Sequence, residues 1–135
     1  MSYKTEEIEG IGPAFAEKLK AIDIISTEEL LTAGATKKGR QHIAETTGIS
    51  ESTILTWVNH ADLFRVKGVA GQFSELLEAA GVDTVKEFAT RNPDNLFDKL
   101  KGTNDKLNLS GRFPSVDALK DMIAHAKTLT QAVFH

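Results

Sequence analysis

The residues of this chain best placed to do chemistry are Ile8-Glu9-Gly10-Ile11-Gly12, a hydrophobic-x-Gly-hydrophobic-Gly run leading directly into Pro13. Glycine permits backbone angles that a side chain forbids. Ile11 can turn inward and pin the turn, which leaves the first amides of the following helix pointing outward. Unpaired amides at the positive end of a helix dipole form a ready phosphate site. A second version occurs at Val66-Lys67-Gly68-Val69, where Ala70 stands at the second glycine and Gly71 follows one position later as a possible substitute. Neither run has a basic residue in the first turn of its helix; the nearest are Lys18 and Lys67. One basic cluster, Lys37 and Lys38 with Arg40, can also reach a phosphate backbone. The competing reading is structural. A Gly-x-Gly turn bends one helix against another with nothing bound, and three charges near a helix start equally form a solvated surface.

Arg40 to Ile54 also has the spacing of a helix-turn-helix, with Ala44 at the close approach, Gly48 at the turn and Ile49 and Ile54 buried. The outward residues of its second helix would be Glu51, Ser52, Leu55 and Thr56. None makes the arginine–guanine fork, and Glu51 repels phosphates, so a plain helical hairpin is the expected reading. Catalytic patterns are missing. His42, His60, His125 and His135 are isolated, and with 0 cysteines no thiolate zinc site or cysteine nucleophile exists. There is no phosphate-binding P-loop and no nucleophile elbow. Glu6-Glu7 and Glu28-Glu29 are adjacent at a terminus and a helix start, where they favour the helix dipole rather than face each other across a cleft. Neither an enzyme nor a cofactor is expected.

The elements that must position these residues come from an internal repeat. Residues 8–19 resemble residues 66–77 at an offset of 58, aligning Gly10 with Gly68, Phe15 with Phe73 and Ala21 with Ala79. Ser26-Thr27-Glu28-Glu29-Leu30 meets Thr84-Val85-Lys86-Glu87-Phe88 at the same offset, whereas His60-Ala61 meets His125-Ala126 at 65. The second copy therefore holds about seven extra residues, assigned to a longer loop near 102–114, a stretch that includes Ser110-Gly111-Arg112.

Helix signals fill both copies. Phe15, Leu19 and Ile22 give one buried face behind Pro13. Ser26 with Glu29, and Thr84 with Glu87, read as capping boxes. Thr36 opens a third helix that Gly48 ends, and Ser50 caps a fourth running to Leu63. In the second copy Gly81 and Gly102 end helices, Pro93 starts one and Ser115 caps the last. No segment alternates with period two. Two five-helix-type units are expected, 1–63 and 64–135. Trp57 and the phenylalanines, at helical spacing, read as core.

At 41% hydrophobic and 26% charged residues the composition is that of a globular protein. Residues 1–63 carry six Lys/Arg against ten Asp/Glu, and residues 64–135 ten against nine, so neither half is a basic nucleic-acid domain by charge. A polar N-terminus, no bilayer-length apolar run and no cysteine imply a cytoplasmic protein with no membrane contact.

Gly10-Ile11-Gly12-Pro13, Ala33-Gly34-Ala35-Thr36 with Gly39-Arg40, Thr47-Gly48-Ile49-Ser50, Trp57-Val58 with Ala61-Asp62-Leu63, and Ala80-Gly81-Val82-Asp83-Thr84-Val85 appear in that order. Together they resemble an uncharacterised bacterial family of tandem helix-hairpin-helix proteins, catalogued as a domain of unknown function. The resemblance implies an all-α fold of two tandem helix-hairpin-helix, SAM-domain-like units packed together. That family has no established activity, but the resemblance of the hairpins to the wider helix-hairpin-helix superfamily implies contact with a nucleic-acid backbone, DNA or RNA, weak and independent of sequence, and maps Gly10, Ile11, Gly12, Gly68 and Val69 onto the phosphate-contacting turns. Lys37, Lys38, Arg40 and Lys67 complete that candidate set. Some relatives in the superfamily hold a monovalent cation on hairpin carbonyls. The alternative function is a protein-interaction adaptor that binds no nucleic acid.

Overall fold

The structure, a computed structural model, describes residues 3–69, 71–111 and 113–135. Among these residues eight α-helices follow a single 3-10 turn, Thr5–Glu7. They are α1 (Pro13–Lys20), α2 (Thr27–Ala33), α3 (Lys37–Thr47), α4 (Glu51–Leu63), α5 (Gly71–Ala79), α6 (Val85–Ala89), α7 (Pro93–Leu107) and α8 (Val116–Thr128). The chain is all-helical, and among the described residues the extended backbone contributes only an isolated bridge between Lys4 and Ser26. No helix among the described residues is long and apolar enough to cross a membrane.

The chain divides into two compact units. Unit 1 is Met1–Asp62 together with Gln131–His135, and unit 2 is Leu63–Thr130. Each unit is built on four α-helices rather than five, with the 3-10 turn as the extra element of unit 1. The C-terminal residues thus belong with the first unit and not with the repeat that precedes them.

Local signals account for most helix starts. Ser26 Oγ accepts from the Glu29 amide at 3.1 Å, and Glu29 returns a carboxylate oxygen to the Ser26 amide at 3.1 Å, a complete capping box. Thr36, Ser50, Thr84, Asn92 and Ser115 each accept from the backbone amide three residues on. The box expected at Thr84 is only half formed, because the Glu87 carboxylate pairs with Arg91 instead. Gly48, at φ +75°, ends α3. Gly102 does not end a helix. It lies inside α7, which continues to Leu107 and stops at Asn108 with φ +51°. The stop is fixed by Asn104, whose side chain donates to Ser110 O at 2.7 Å and accepts from the Ser110 amide at 2.9 Å.

The expected loop at 102–114 is therefore partly helix. Helices α4 and α8 each contain 13 residues and are related by the offset of 65. The added residues of the second copy are divided between α7, with 15 residues against 11 in α3, and the connection after it. Arg112, assigned to that loop, lies outside the described residues.

In unit 2, α8 packs on α6 and α7, and α5 on α7. Phe88, Leu76, Leu77, Leu100 and Leu119 form its core. In unit 1, α2 packs on α3, and Leu19, Leu30, Ile43, Ile54 and Val58 are buried. The face expected on α1 is narrower than its apolar residues, since Leu19 is buried but Phe15 is exposed.

Candidate functional site

The two glycine turns have one geometry. The Ile11 amide donates to Ile8 O at 3.1 Å and the Val69 amide to Val66 O at 3.0 Å, while Gly10 and Gly68 lie at φ +96° and +93°. This is a type II turn with glycine at its third residue, where positive φ is required. Ile8, Ile11, Val66 and Val69 are all buried and anchor both ends of each turn. What lies against each turn also repeats. A Cβ on Gly10 would lie 3.4 Å from Trp57 Nε1, and one on Gly68 would lie 2.9 Å from Met122 Cε. Trp57 and Met122 are related by the offset of 65, as are His60 and His125. His125 Nδ1 accepts from the Lys67 amide at 3.1 Å, so the second turn is tied to α8 through its own backbone.

The first turn presents the more open amides. Among the described residues no acceptor pairs with the amides of Gly10, Gly12, Ala14 or Phe15. All four of these residues are exposed. Phe15 stands edge-on to Trp57 with ring centroids 5.2 Å apart, and Lys18 Nζ lies 5.9 Å above the Phe15 ring. Gly12 differs from the expectation placed on it. Its φ of −89° is open to any residue, and a Cβ there meets nothing within 4 Å. Gly10 alone carries the conformational requirement. Ala70, the counterpart of Gly12, lies outside the described residues, and Gly71 beyond it has φ +50°.

The basic cluster does not hold together. Lys37 and Lys38 are exposed in the first turn of α3, where the dipole disfavours cations. Arg40 is only 4% exposed. Its guanidinium donates to Gly34 O at 2.8 Å, Ala35 O at 3.2 Å and Phe134 O at 2.9 Å. Burial lowers its pKa, and the nearby charge of Glu51 partly opposes that shift. Arg40 thus leaves the candidate contact set and becomes a clamp that joins the α2–α3 connection to the C-terminal segment. Lys67 is exposed at the second turn, and Lys99 and Lys106 line a groove of about 470 Å³ beside Ala79 and Leu107. The sequence signal for this pair is the spacing of seven, which places Lys99 and Lys106 on one face of α7.

Unit 1 also has a groove of about 570 Å³ beside α2 and α3. Ile22, Ile24, Ala33 and Ile43 make its apolar lining. Asp23, Glu28 and Glu29 bring carboxylates to it, with His42 the one basic residue. Asp23 reaches the groove because it ends α1 at φ +64°, with the Ile24 amide donating to Leu19 O at 2.9 Å and the Asp23 amide to Lys20 O at 2.9 Å. The same pair of bonds closes α5 around Gly81, from Val82 to Leu77 O and from Gly81 to Glu78 O. This is a Schellman closure in both copies, with aspartate at the left-handed position of one. Gly39 lets α3 approach α2, since a Cβ there would collide with the carbonyl oxygen of Ala33. Among the described residues no group of three or more His, Asp or Glu is arranged to hold a metal ion.

A family model described as Domain of unknown function (DUF4332) matches residues 9–129. No curated protein and no solved structure matches the chain.

Proposed function

The chain belongs to the Domain of unknown function (DUF4332) family, and we propose that it is a non-enzymatic protein-interaction module that docks its partner in the open groove of unit 1. The observation carrying this reading is the groove: an apolar lining edged by three carboxylates. It lies in a unit whose residues include six Lys/Arg against ten Asp/Glu. Such a surface attracts a basic, amphipathic protein segment and repels a polyanion. The absence of cysteine suits a reducing compartment, and we place the protein in the bacterial cytoplasm.

A second reading has its own support. The unpaired amides of Gly10, Gly12, Ala14 and Phe15 are the arrangement that helix-hairpin-helix proteins use on a phosphate backbone. In that reading Lys37, Lys38, Lys67, Gly68 and Val69 supply the remaining contacts, without Arg40.

A salt titration of binding to random-sequence duplex and single-stranded DNA separates the two. The docking reading expects affinity no tighter than about 10⁻⁴ M, the weak end of non-specific binding. Tighter binding that falls with salt at a slope of about −0.9 per phosphate, and that weakens in a Lys37→Ala, Lys38→Ala double variant, would overturn it in favour of the hairpins.

A further inference from the structure

We propose that the groove of unit 1 is a receptor for an arginine side chain presented by a partner protein. The proposal rests on the docking reading and names the group that docks. Its ground is the other copy of the repeat. At the offset of 58, Asp23, Glu28, Glu29 and Ala33 correspond to Gly81, Lys86, Glu87 and Arg91. In unit 2 Arg91 is the group that fills this place. Its Nε donates to Glu87 Oε1 at 3.0 Å, its Nη2 lies 2.8 Å from the same oxygen, and its Nη2 also donates to Gly81 O at 3.1 Å. One guanidinium thereby joins the end of α5 to α6, with its side chain 26% exposed.

Unit 1 keeps one of these residues, Glu29 in the place of Glu87, and lacks the arginine. Ala33 ends at Cβ, and the groove stays open. Charge has shifted in the same direction. Lys86 becomes Glu28, Gly81 becomes Asp23, and neither lysine nor arginine lines the groove. Glu29 Oε1 accepts from the amides of Ile25 and Ser26 at 3.1 Å, which leaves its Oε2 and the carboxylates of Asp23 and Glu28 as acceptors. Neither Asp23 nor Glu28 forms an ion pair among the described residues. The groove is larger than one guanidinium, and its apolar lining suits the aliphatic stem of arginine and an apolar neighbour on the same segment. Lysine is a poorer fit, because its donors converge on one nitrogen, whereas the planar guanidinium presents donors from separate nitrogens to acceptors set apart.

The test is a titration of the ¹⁵N-labelled full chain with the capped tripeptide acetyl-Leu-Arg-Leu-amide and with its citrulline and lysine counterparts, followed by amide shifts. The arginine peptide should move the amides of Ile24, Gly39 and His42 and bind about fivefold or more tighter than the citrulline peptide, with lysine between. Ala33→Arg should supply the missing group internally and abolish binding while the chain stays folded. Asp23→Asn combined with Glu28→Gln should reduce the arginine peptide to the citrulline level. Equal binding of the arginine and citrulline peptides at the groove overturns the arginine assignment and leaves the docking reading standing. No shift at the groove with any peptide overturns both. Concentration-dependent shifts there without peptide assign the groove to a second copy of this chain and overturn the partner-protein occupant.

Discussion

Replacing Arg40 by alanine removes three hydrogen bonds from one guanidinium: to Gly34 O at 2.8 Å, Ala35 O at 3.2 Å and Phe134 O at 2.9 Å. The bond to Gly34 O is buried, and a buried bond from a charged donor contributes about 2 kcal/mol. The other two are part-buried, so water replaces them in part and each is worth about 0.5–1 kcal/mol. The expected loss is about 3 kcal/mol, before any loss of packing along the side-chain stem. At about 4 °C per kcal/mol for a domain of this size, the melting temperature should fall by about 12 °C. The C-terminal segment should loosen with it. The Phe134 amide, bonded to Ala35 O at 2.7 Å, should exchange with solvent faster than in the parent. Arg40→Lys should recover less than half of the stability, since one ammonium cannot span three carbonyls. Thermal melts and amide exchange measure both effects. An Arg40→Ala variant that melts within about 2 °C of the parent, with Phe134 protection unchanged, would refute the clamp and return Arg40 to the exposed basic set.

Gly39→Ala should cost several kcal/mol, on the order of an overpacked core, because its Cβ meets the Ala33 carbonyl oxygen; a normal denaturation midpoint would show that the two helices part without penalty. Gly10→Ala should destabilise by about 1–2 kcal/mol through its positive φ, whereas Gly12→Ala should change the midpoint by less than about 0.5 kcal/mol. Equal effects at the two glycines would contradict the turn assignment. Asp23→Gly relieves a left-handed residue and should stabilise the chain by about 0.5–1 kcal/mol in chemical denaturation, while Gly81→Asp should do the reverse.

Much of the fold was legible because its signals are local. A cap is a contact between a side chain and an amide three residues away, so Ser26, Thr36, Ser50 and Ser115 mark helix starts before any tertiary contact is known. The turns at Gly10 and Gly68 were legible for the same reason. Where the local signal misleads, a competing contact is the reason. Thr84 and Glu87 have the spacing of a capping box, but Arg91 four residues on takes the carboxylate. Gly102 has the residue type of a helix end, but Asn104 bonds across to Ser110 and moves the end to Asn108. The constraint of the first turn belongs to Gly10 and not to Gly12, because residue type shows that a turn is present without showing which residue takes the positive φ.

The amino-acid order alone determined the helical class, the repeat with its two offsets, most helix starts and the two glycine turns, since each rests on contacts a few residues apart. Only the tertiary structure decided the rest. Arg40 and Phe134 are 94 residues apart, and no local pattern marks an arginine for burial by a segment so distant. The groove lies where Ala33 is short and its repeat counterpart Arg91 is long. An alignment shows that difference, but only the packing of α2 and α3 makes it an open, carboxylate-edged space, because a cavity is a property of surfaces that the chain brings together.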